Sequence, residues 1–226
     1  MNGKLYIVST PIGNLEDITL RALNILKSVD LVICEEFREG RRILSNYKIE
    51  KELTELNEHN EKEAVNDILM HLINGQSAAL ISDCGTPLFS DPGHLLVDVL
   101  ISQNIQIVPV PGASSIMSAL VGSGFDIEKF YYYGWLSPKT DERRGQLVRL
   151  KGIHEVLIFM DTPYRLKSLL GDVVKILGAN VPVVLAYQLT MAKERYYRGS
   201  AAGVLNIAEK NNLKGEFVLI VNNRRT

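Results

Sequence analysis

Four short segments of this chain follow directly on apolar runs and carry the residues most capable of chemistry. They are Thr10-Pro11-Ile12-Gly13-Asn14, Cys34-Glu35-Glu36-Phe37-Arg38, Ser82-Asp83-Cys84-Gly85-Thr86-Pro87 (running on through Phe89 to Asp91-Pro92-Gly93) and Pro111-Gly112-Ala113-Ser114-Ser115. Proline in place of a glycine stiffens such loops, so that they present carbonyls and amides at fixed positions. That chemistry suits a neutral or cationic small ligand held without a phosphate cradle. Motifs for other chemistries are missing: there is no GxGxxG after the first strand, and no GxxxxGK[ST], HExxH or GxSxG. This argues against dinucleotide enzymes, NTPases, zinc proteases and α/β-hydrolases. Gly122-Ser123-Gly124 follows a helical pattern and reads as a turn. Any one of the four loops is also what a turn or helix cap looks like. Several on one sheet edge favour a ligand site.

The elements that must position these loops are legible. Apolar runs at Leu5–Ser9, Leu31–Glu35, Ala78–Ser82 and Gln106–Val110 predict strands. Helical periodicity covers about Thr19–Ser28, Arg38–Tyr47, Lys62–Ile73, Leu95–Ser102 and Ser114–Val121. Strands apolar throughout and separated by amphipathic helices predict a parallel sheet covered on both faces. In such sheets ligands bind at the carboxyl ends of the strands, where all four loops fall. Beyond residue 122 the pattern changes. Strand-type runs at Phe130–Trp135, Val156–Met160, Val183–Tyr187, Glu194–Arg198 and Phe217–Val221 alternate with helices near Arg143–Leu150, Pro163–Leu177 and Ala202–Asn211. The short loop between the third and fourth runs predicts an antiparallel pair. The expected architecture is therefore α/β in two domains: residues 1–122 mainly a parallel sheet with helices on both faces, and residues 123–226 a mixed sheet with helices.

Composition narrows the partners. The chain has 25 Lys and Arg against 26 Asp and Glu, so nucleic-acid contact has to rest on a local basic patch rather than on overall charge. The densest positive group is Lys139, Arg143, Arg144, Arg149 and Lys151, which also reads as an ordinary solvated helix face. Two cysteines, Cys34 and Cys84, without CxxC spacing give neither a disulfide framework nor a structural zinc site. They read as small buried hydrophobes in a reducing compartment. The first residues lack the pattern of a signal peptide, no stretch has the ~18 apolar residues of a membrane helix, and the expected location is cytoplasmic.

TPIGNLEDITLRAL near the start, SDCGTPLFSDPG in the middle and VPVPGASS further on resemble the tetrapyrrole (corrin/porphyrin) methylase superfamily. Within it the sequence is most similar to the branch that methylates a cytidine ribose 2′-hydroxyl of small-subunit ribosomal RNA. NEHNE (Asn57–Glu61), GWLSPK (Gly134–Lys139), Glu142-Arg143-Arg144 and KGEFVLIV (Lys214–Val221) stand in the same order. The resemblance implies an S-adenosylmethionine-dependent methyltransferase with its cofactor in a cleft between two domains, a homodimer, and the small ribosomal subunit or its rRNA as partner, with no metal. Carried over by position, the cofactor residues are Thr10, Pro11, Ile12, Gly13, Asn14, Ser82, Asp83, Gly85, Thr86, Pro87, Pro111, Gly112, Ala113 and Ser114. Substrate contacts fall on Lys139, Arg143 and Arg144.

The chain departs from this branch at several positions. Glu35-Glu36-Phe37-Arg38 replaces Glu-Asp-Thr-Arg, and Leu88 stands where a glycine usually follows the Gly-Thr-Pro turn. Asp161-Thr162-Pro163-Tyr164-Arg165 replaces Glu-Ser-Pro-His-Arg, and Gln188-Leu189-Thr190-Met191 replaces Glu-Leu-Thr-Lys. A glutamine cannot serve as a base at neutral pH. The expected proton acceptor is therefore Glu36, with Arg38 positioning a phosphate and His59 as the other candidate base. Glu36 and Arg38 also read as a surface ion pair. Asp83 reads either as an Asx turn holding its own loop or as a carboxylate that favours a cationic donor. Two rival functions stay open at this point: methylation of a tetrapyrrole or other small molecule, and noncatalytic binding of S-adenosylmethionine.

Overall fold

The computed structural model describes residues 2–89 and 91–224. The chain divides into two compact units, one ending at Ser114 and one beginning at Ser115. This division precedes the boundary expected after residue 122. The reason is α5 (Ser115–Ser123), which buries Ile116, Ala119 and Leu120 against strands of the second unit.

The first unit is a five-stranded sheet. Its strands are β1 (Lys4–Val8), β2 (Leu31–Cys34), β3 (Glu52–Glu55), β4 (Ala78–Ile81) and β5 (Gln106–Val110), in the order β3-β2-β4-β1-β5. Every pairing is parallel. Period-two alternation sends Leu5, Leu31, Ile33, Ala78 and Leu80 to one face, where α3 (Glu61–Ile73) and α4 (His94–Ser102) cover them. Val8, Val32, Cys34, Ala79 and Ile81 face α1 (Leu20–Ser28) and α2 (Phe37–Asn46). Thr19 starts α1 by accepting the amide of Ala22 at 3.0 Å, the usual service of an N-cap threonine. Gly93, in the left-handed region, is the residue that precedes α4, so Pro92 lies outside the helix. Strand β3 was not foreseen. Its sequence, Glu-Leu-Thr-Glu, is short and polar because it lies at the edge of the sheet and has no fully buried residue.

The second unit adds a mixed sheet. Its strands are β6 (Phe130–Trp135), β7 (Val156–Asp161), β8 (Pro182–Tyr187), β9 (Arg195–Ser200) and β10 (Phe217–Asn222), in the order β6-β7-β10-β8-β9. Only β6 and β7 pair in parallel; β10 runs antiparallel to β7 and β8, and β8 to β9. The core of this unit forms where Leu157, Phe159, Val183, Leu185, Leu219 and Val221 meet α6 (Thr140–Leu150), α7 (Leu166–Ile176) and α8 (Ala201–Lys210). Among the described residues, no helix is long and apolar enough to cross a membrane.

Candidate active site

The parallel order of the first unit puts the segments after β4, β1 and β5 side by side, and hydrogen bonds knit them together. The Thr10 amide donates to the Gly85 carbonyl at 2.8 Å. The Thr10 hydroxyl donates to the Ser82 carbonyl at 3.0 Å and accepts from the Gly85 amide at 3.1 Å. Ser9 and Thr86 share a hydroxyl contact of 3.0 Å, and Thr86 donates onward to the Ala113 carbonyl at 3.4 Å. Thr10 is 1% exposed, so these bonds form out of competition with water. Pro11, Gly13, Asn14, Pro111 and Gly112 form the accessible rim, while Ile12 and Pro87 are buried beneath it.

Two glycines show why small residues are required here. Gly85 has φ 87°, and a Cβ on it would lie 3.2 Å from Ile12 Cγ2. A Cβ on Gly112 would lie 2.9 Å from Ser9 Cβ. At these two points the three loops pack too closely against one another to admit a side chain. Leu88, at the position where the resembled branch has glycine, takes φ 75° and is held there by packing on the core between the sheet and α3–α4. A left-handed residue with a side chain costs about 1–2 kcal/mol, which that packing offsets.

Carboxylates gather beside these loops. Asp83 Oδ1 is buried with no hydrogen-bond partner among the described residues. Burial, then the charges of Glu39, Glu36 and Asp91, raise the Asp83 pKa above the ordinary carboxylate value, with Arg42 opposing. Glu35 is raised in the same way, by burial first and then by Asp83, Asp91, Glu36 and Glu58. The Asx-turn role expected of Asp83 belongs to its neighbour. The Ser82 hydroxyl accepts the Cys84 amide at 3.2 Å, which leaves Asp83 uncommitted to the turn. The half-buried Glu35 was missed in the sequence. The available signal was its place directly after the fully buried strand Leu31–Cys34.

Glu36 and Arg38 are exposed at the start of α2. The ion pair read between them does not form; the pair on this helix is Arg42 with Glu39, at 2.7 Å. His59 is exposed on a turn that Asn57 and Asn60 build. Asn57 Oδ1 accepts the His59 amide at 3.0 Å, and Asn60 Oδ1 accepts the Asn57 amide at 2.8 Å. Glu61, which closes that motif, accepts the Gly93 amide at 3.0 Å and so ties the loop after β3 to the Asp91-Pro92-Gly93 turn. Cys34 is buried, and burial with Glu55 and Asp83 nearby pushes its thiol up to about 12. Cys84 is exposed, contrary to the expectation of two buried cysteines, because it sits on the outside of the Ser82–Pro87 turn.

The basic group of the second unit is divided: Lys139, Arg149 and Lys151 are exposed, whereas Arg143 and Arg144 turn into the fold. Arg143 is 4% exposed, and its Nε donates to Asp172 Oδ2 at 2.7 Å. Its Nη1 bonds the Pro138 carbonyl at 3.1 Å. Arg144 takes the other oxygen of Asp172, also at 2.7 Å, and Lys139 pairs with Glu142 at 2.9 Å. A lone guanidinium cannot be buried cheaply, so Asp172 on α7 binds both arginines and clamps α6 in place. Burial and pairing thus give Arg143 a structural role in joining α6 to α7. Likewise Asp161 and Arg165, the two ends of the Asp-Thr-Pro-Tyr-Arg segment, form an ion pair, and Arg165 also donates to the Leu136 carbonyl.

A parallel sheet with ligand-type loops at the carboxyl ends of β4, β1 and β5, followed by a mixed sheet, is the architecture of a class of small-ligand methylases. The solved structure of uroporphyrin-III C-methyltransferase from Thermus thermophilus, complexed with S-adenyl homocysteine, superposes with a TM-score of 0.65 at 17% identity, covering 97% of each chain. The family model for tetrapyrrole (corrin/porphyrin) methylases matches residues 4–204. Ribosomal RNA small subunit methyltransferase I of Halalkalibacterium halodurans is 39% identical over 219 residues, 97% of this chain and 75% of that protein. Its counterpart from Thermotoga maritima is 39% identical over 222 residues, 98% of this chain and 99% of that one. The chain belongs to the tetrapyrrole methylase family, in its ribosomal RNA small subunit methyltransferase I branch. It is an S-adenosylmethionine-dependent methyltransferase.

Proposed function

We propose that this enzyme methylates the 2′-hydroxyl of a cytidine ribose in small-subunit ribosomal RNA, acting in the cytoplasm as a homodimer. The observation that carries the reading is the knit of three loops at Thr10, Gly85–Thr86 and Ala113 on one sheet edge, in a chain similar over nearly all its length to rRNA methyltransferases. The residues fit the donor. Thr10–Asn14, Ser82–Pro87 and Pro111–Ser114 would hold it on loops that Gly85 and Gly112 allow to pack closely together. The unpartnered Asp83 carboxylate oxygen and its neighbours favour a cation over a phosphate. When bound, S-adenosylmethionine supplies a methyl group activated by a positive sulfur. The chain's own tasks are alignment, exclusion of water and removal of one proton.

A ribose hydroxyl is a weak acid, so a base assists its attack. In this proposal Glu36 accepts the hydroxyl proton and Arg38 holds the adjacent phosphate, with His59 as the alternative base. Glu36 gains the proton as the donor gives up its positive charge, so the net charge of the site is unchanged and no further ion is needed. The test is transfer of labelled methyl to small ribosomal subunits, extracted rRNA and porphyrinogen-type substrates, with chelator present. Label is expected in the subunit RNA at a ribose 2′-oxygen. Label in a tetrapyrrole alone would overturn the reading, and tight donor binding without transfer to any acceptor would mark a noncatalytic binding protein. Glu36→Gln is expected to lower turnover about 10²–10⁴-fold with donor affinity nearly unchanged. Wild-type turnover in that variant would move the base to His59 or dispense with one.

A further inference from the structure

With Arg143, Arg144 and Lys139 engaged by carboxylates, the cations of the second unit that have no ion-pair partner among the described residues include Arg149 and Lys151 at the end of α6 and a second group beside the edge strand β9. A cleft of about 790 Å³ opens where the start of β9 faces the end of α8, and its lining includes Tyr187, Lys193, Arg195, Tyr197, Asn211 and Asn212. Lys193 and Arg195 are exposed, and among the described residues neither has an ion-pair partner. Lys210 and Lys214 flank the lining segment Asn211–Leu213 in sequence and are likewise exposed without a carboxylate partner. Lys167 reaches the same segment, donating to Asn212 Oδ1 at 2.8 Å. Three carboxylates border the region. Glu194 commits Oε2 to the Thr190 amide at 2.6 Å, and Glu209 and Glu216 stand beside Lys210 and Lys214 in sequence. The lining itself holds three cations, Lys193, Arg195 and Arg198, against one carboxylate, Glu194, which leaves the cleft positive.

The walls add a second feature. Tyr187 and Tyr197 meet edge to face, 6.1 Å between ring centres, so aromatic surface stands next to Lys193 and Arg195. Arg198, also in the lining, lies 5.0 Å over the Tyr196 ring and bonds the carbonyls of Gly122 and Ser123, while Tyr196 donates to the Ser118 carbonyl at 2.8 Å. These bonds anchor β9 on α5. The edge strand is thus a fixed platform from which Lys193 and Arg195 project. Unpaired cations along a groove supply the point charges that the phosphates of a single nucleic-acid strand require, while Tyr187 and Tyr197 pack on the core and stiffen the wall rather than offer faces to bases.

We infer that this cleft binds the sugar–phosphate backbone of a single-stranded segment of the substrate RNA, with Lys193 and Arg195 as its principal phosphate contacts. The inference rests on the rRNA reading proposed above. Its test compares the intact enzyme with a Lys193→Gln/Arg195→Gln variant and with Lys175→Gln on α7 as a control. Three quantities are measured: kcat and KM on small ribosomal subunits, anisotropy of a fluorescent oligoribonucleotide across a salt series, and calorimetric binding of S-adenosylhomocysteine as a check of the fold. The double variant is expected to raise KM about tenfold with kcat and cofactor affinity retained. The logarithmic salt slope of oligoribonucleotide binding should fall by about 1.4, or ~0.7 for each phosphate that the protein no longer neutralises on a single strand. Lys175→Gln should change nothing. A wild-type KM and salt slope in the double variant would overturn the inference. If even the intact enzyme fails to label ribosomal RNA, the functional reading fails by itself, and the salt slope still decides whether the cleft binds RNA. A variant that changes the sedimenting mass and leaves the slope unaltered would assign the cleft to contact between copies of the chain, which also overturns the proposal.

Discussion

The two units use charged and polar groups in opposite ways. In the first, neutral hydroxyls and backbone amides lock three loops together at Thr10, Thr86 and Ala113, and the carboxylates beside them are crowded and partly unsatisfied. In the second, the buried charges that join α6 to α7 satisfy one another: Asp172 is 4% exposed and binds Arg143 and Arg144 together. The first arrangement stores unfavourable electrostatics where a cationic ligand would relieve it. The second commits its charges to holding α6 to α7. The contrast teaches that density of like charge in sequence is a poor guide to a binding face. What matters is whether the charges find partners within the fold.

The largest effect should come from breaking the clamp. Asp172→Ala leaves Arg143 buried without a counter-ion, a change that costs about 3–5 kcal/mol. At ~2–4 °C per kcal/mol for a protein of this size, calorimetry should show the melting temperature of the second unit falling by roughly 6–20 °C. A fall of less than ~2 °C would show that the arginines reach solvent readily and restore them as candidates for substrate contact. In the first unit the matching substitution is Gly85→Val, which places a branched side chain at φ 87° against Ile12. Strain of this kind costs about 1–3 kcal/mol, and S-adenosylhomocysteine binding is expected to weaken by about tenfold or more. Unchanged affinity would remove the Ser82–Pro87 loop from the site.

The smallest and most diagnostic effect concerns Asp83. Its folded-state pKa is raised. The proton-linked stability it contributes is therefore fully present below the unfolded carboxylate value and is lost as pH rises through the raised one. Asp83→Asn should accordingly melt a few degrees higher than wild type at pH 7–8, with the gain shrinking as pH falls toward 4. Its affinity for the cationic donor should fall at the same time. Stability gained while binding is lost is the signature of a site that holds strain for its ligand. A variant that loses both would return Asp83 to a structural role in its turn.

Much of the scaffold could be read from the chain. Continuous runs of Val, Ile and Leu located β1, β2, β4 and β5 within one residue at either end, and the short loop between Val183–Tyr187 and Glu194–Arg198 foretold the antiparallel pairing of β8 with β9. Strand β3 escaped because an edge strand buries too little to need an apolar sequence. Glu35 was passed over for Glu36 because adjacent strand-end residues point to opposite sides. Only the tertiary environment shows that Glu35 is the half-buried member, close enough to Asp83 for that charge to help raise its pKa.

By itself the sequence determined the layered α/β architecture, the places where the chain turns and the four loops able to meet a ligand. These follow from local constraints: period-two burial, glycine where a side chain has no room, and proline where φ is fixed. Tertiary structure alone decided which charges are paired. Arg143 and Asp172 are 29 residues apart, and no local rule pairs them; they meet because α6 and α7 pack on the same core. The same packing leaves Lys193 and Arg195 unpaired at the edge strand, and the parallel strand order lays the loops after β4, β1 and β5 side by side. Ion pairing and desolvation depend on distances through space, and the fold sets those distances only when the chain is assembled.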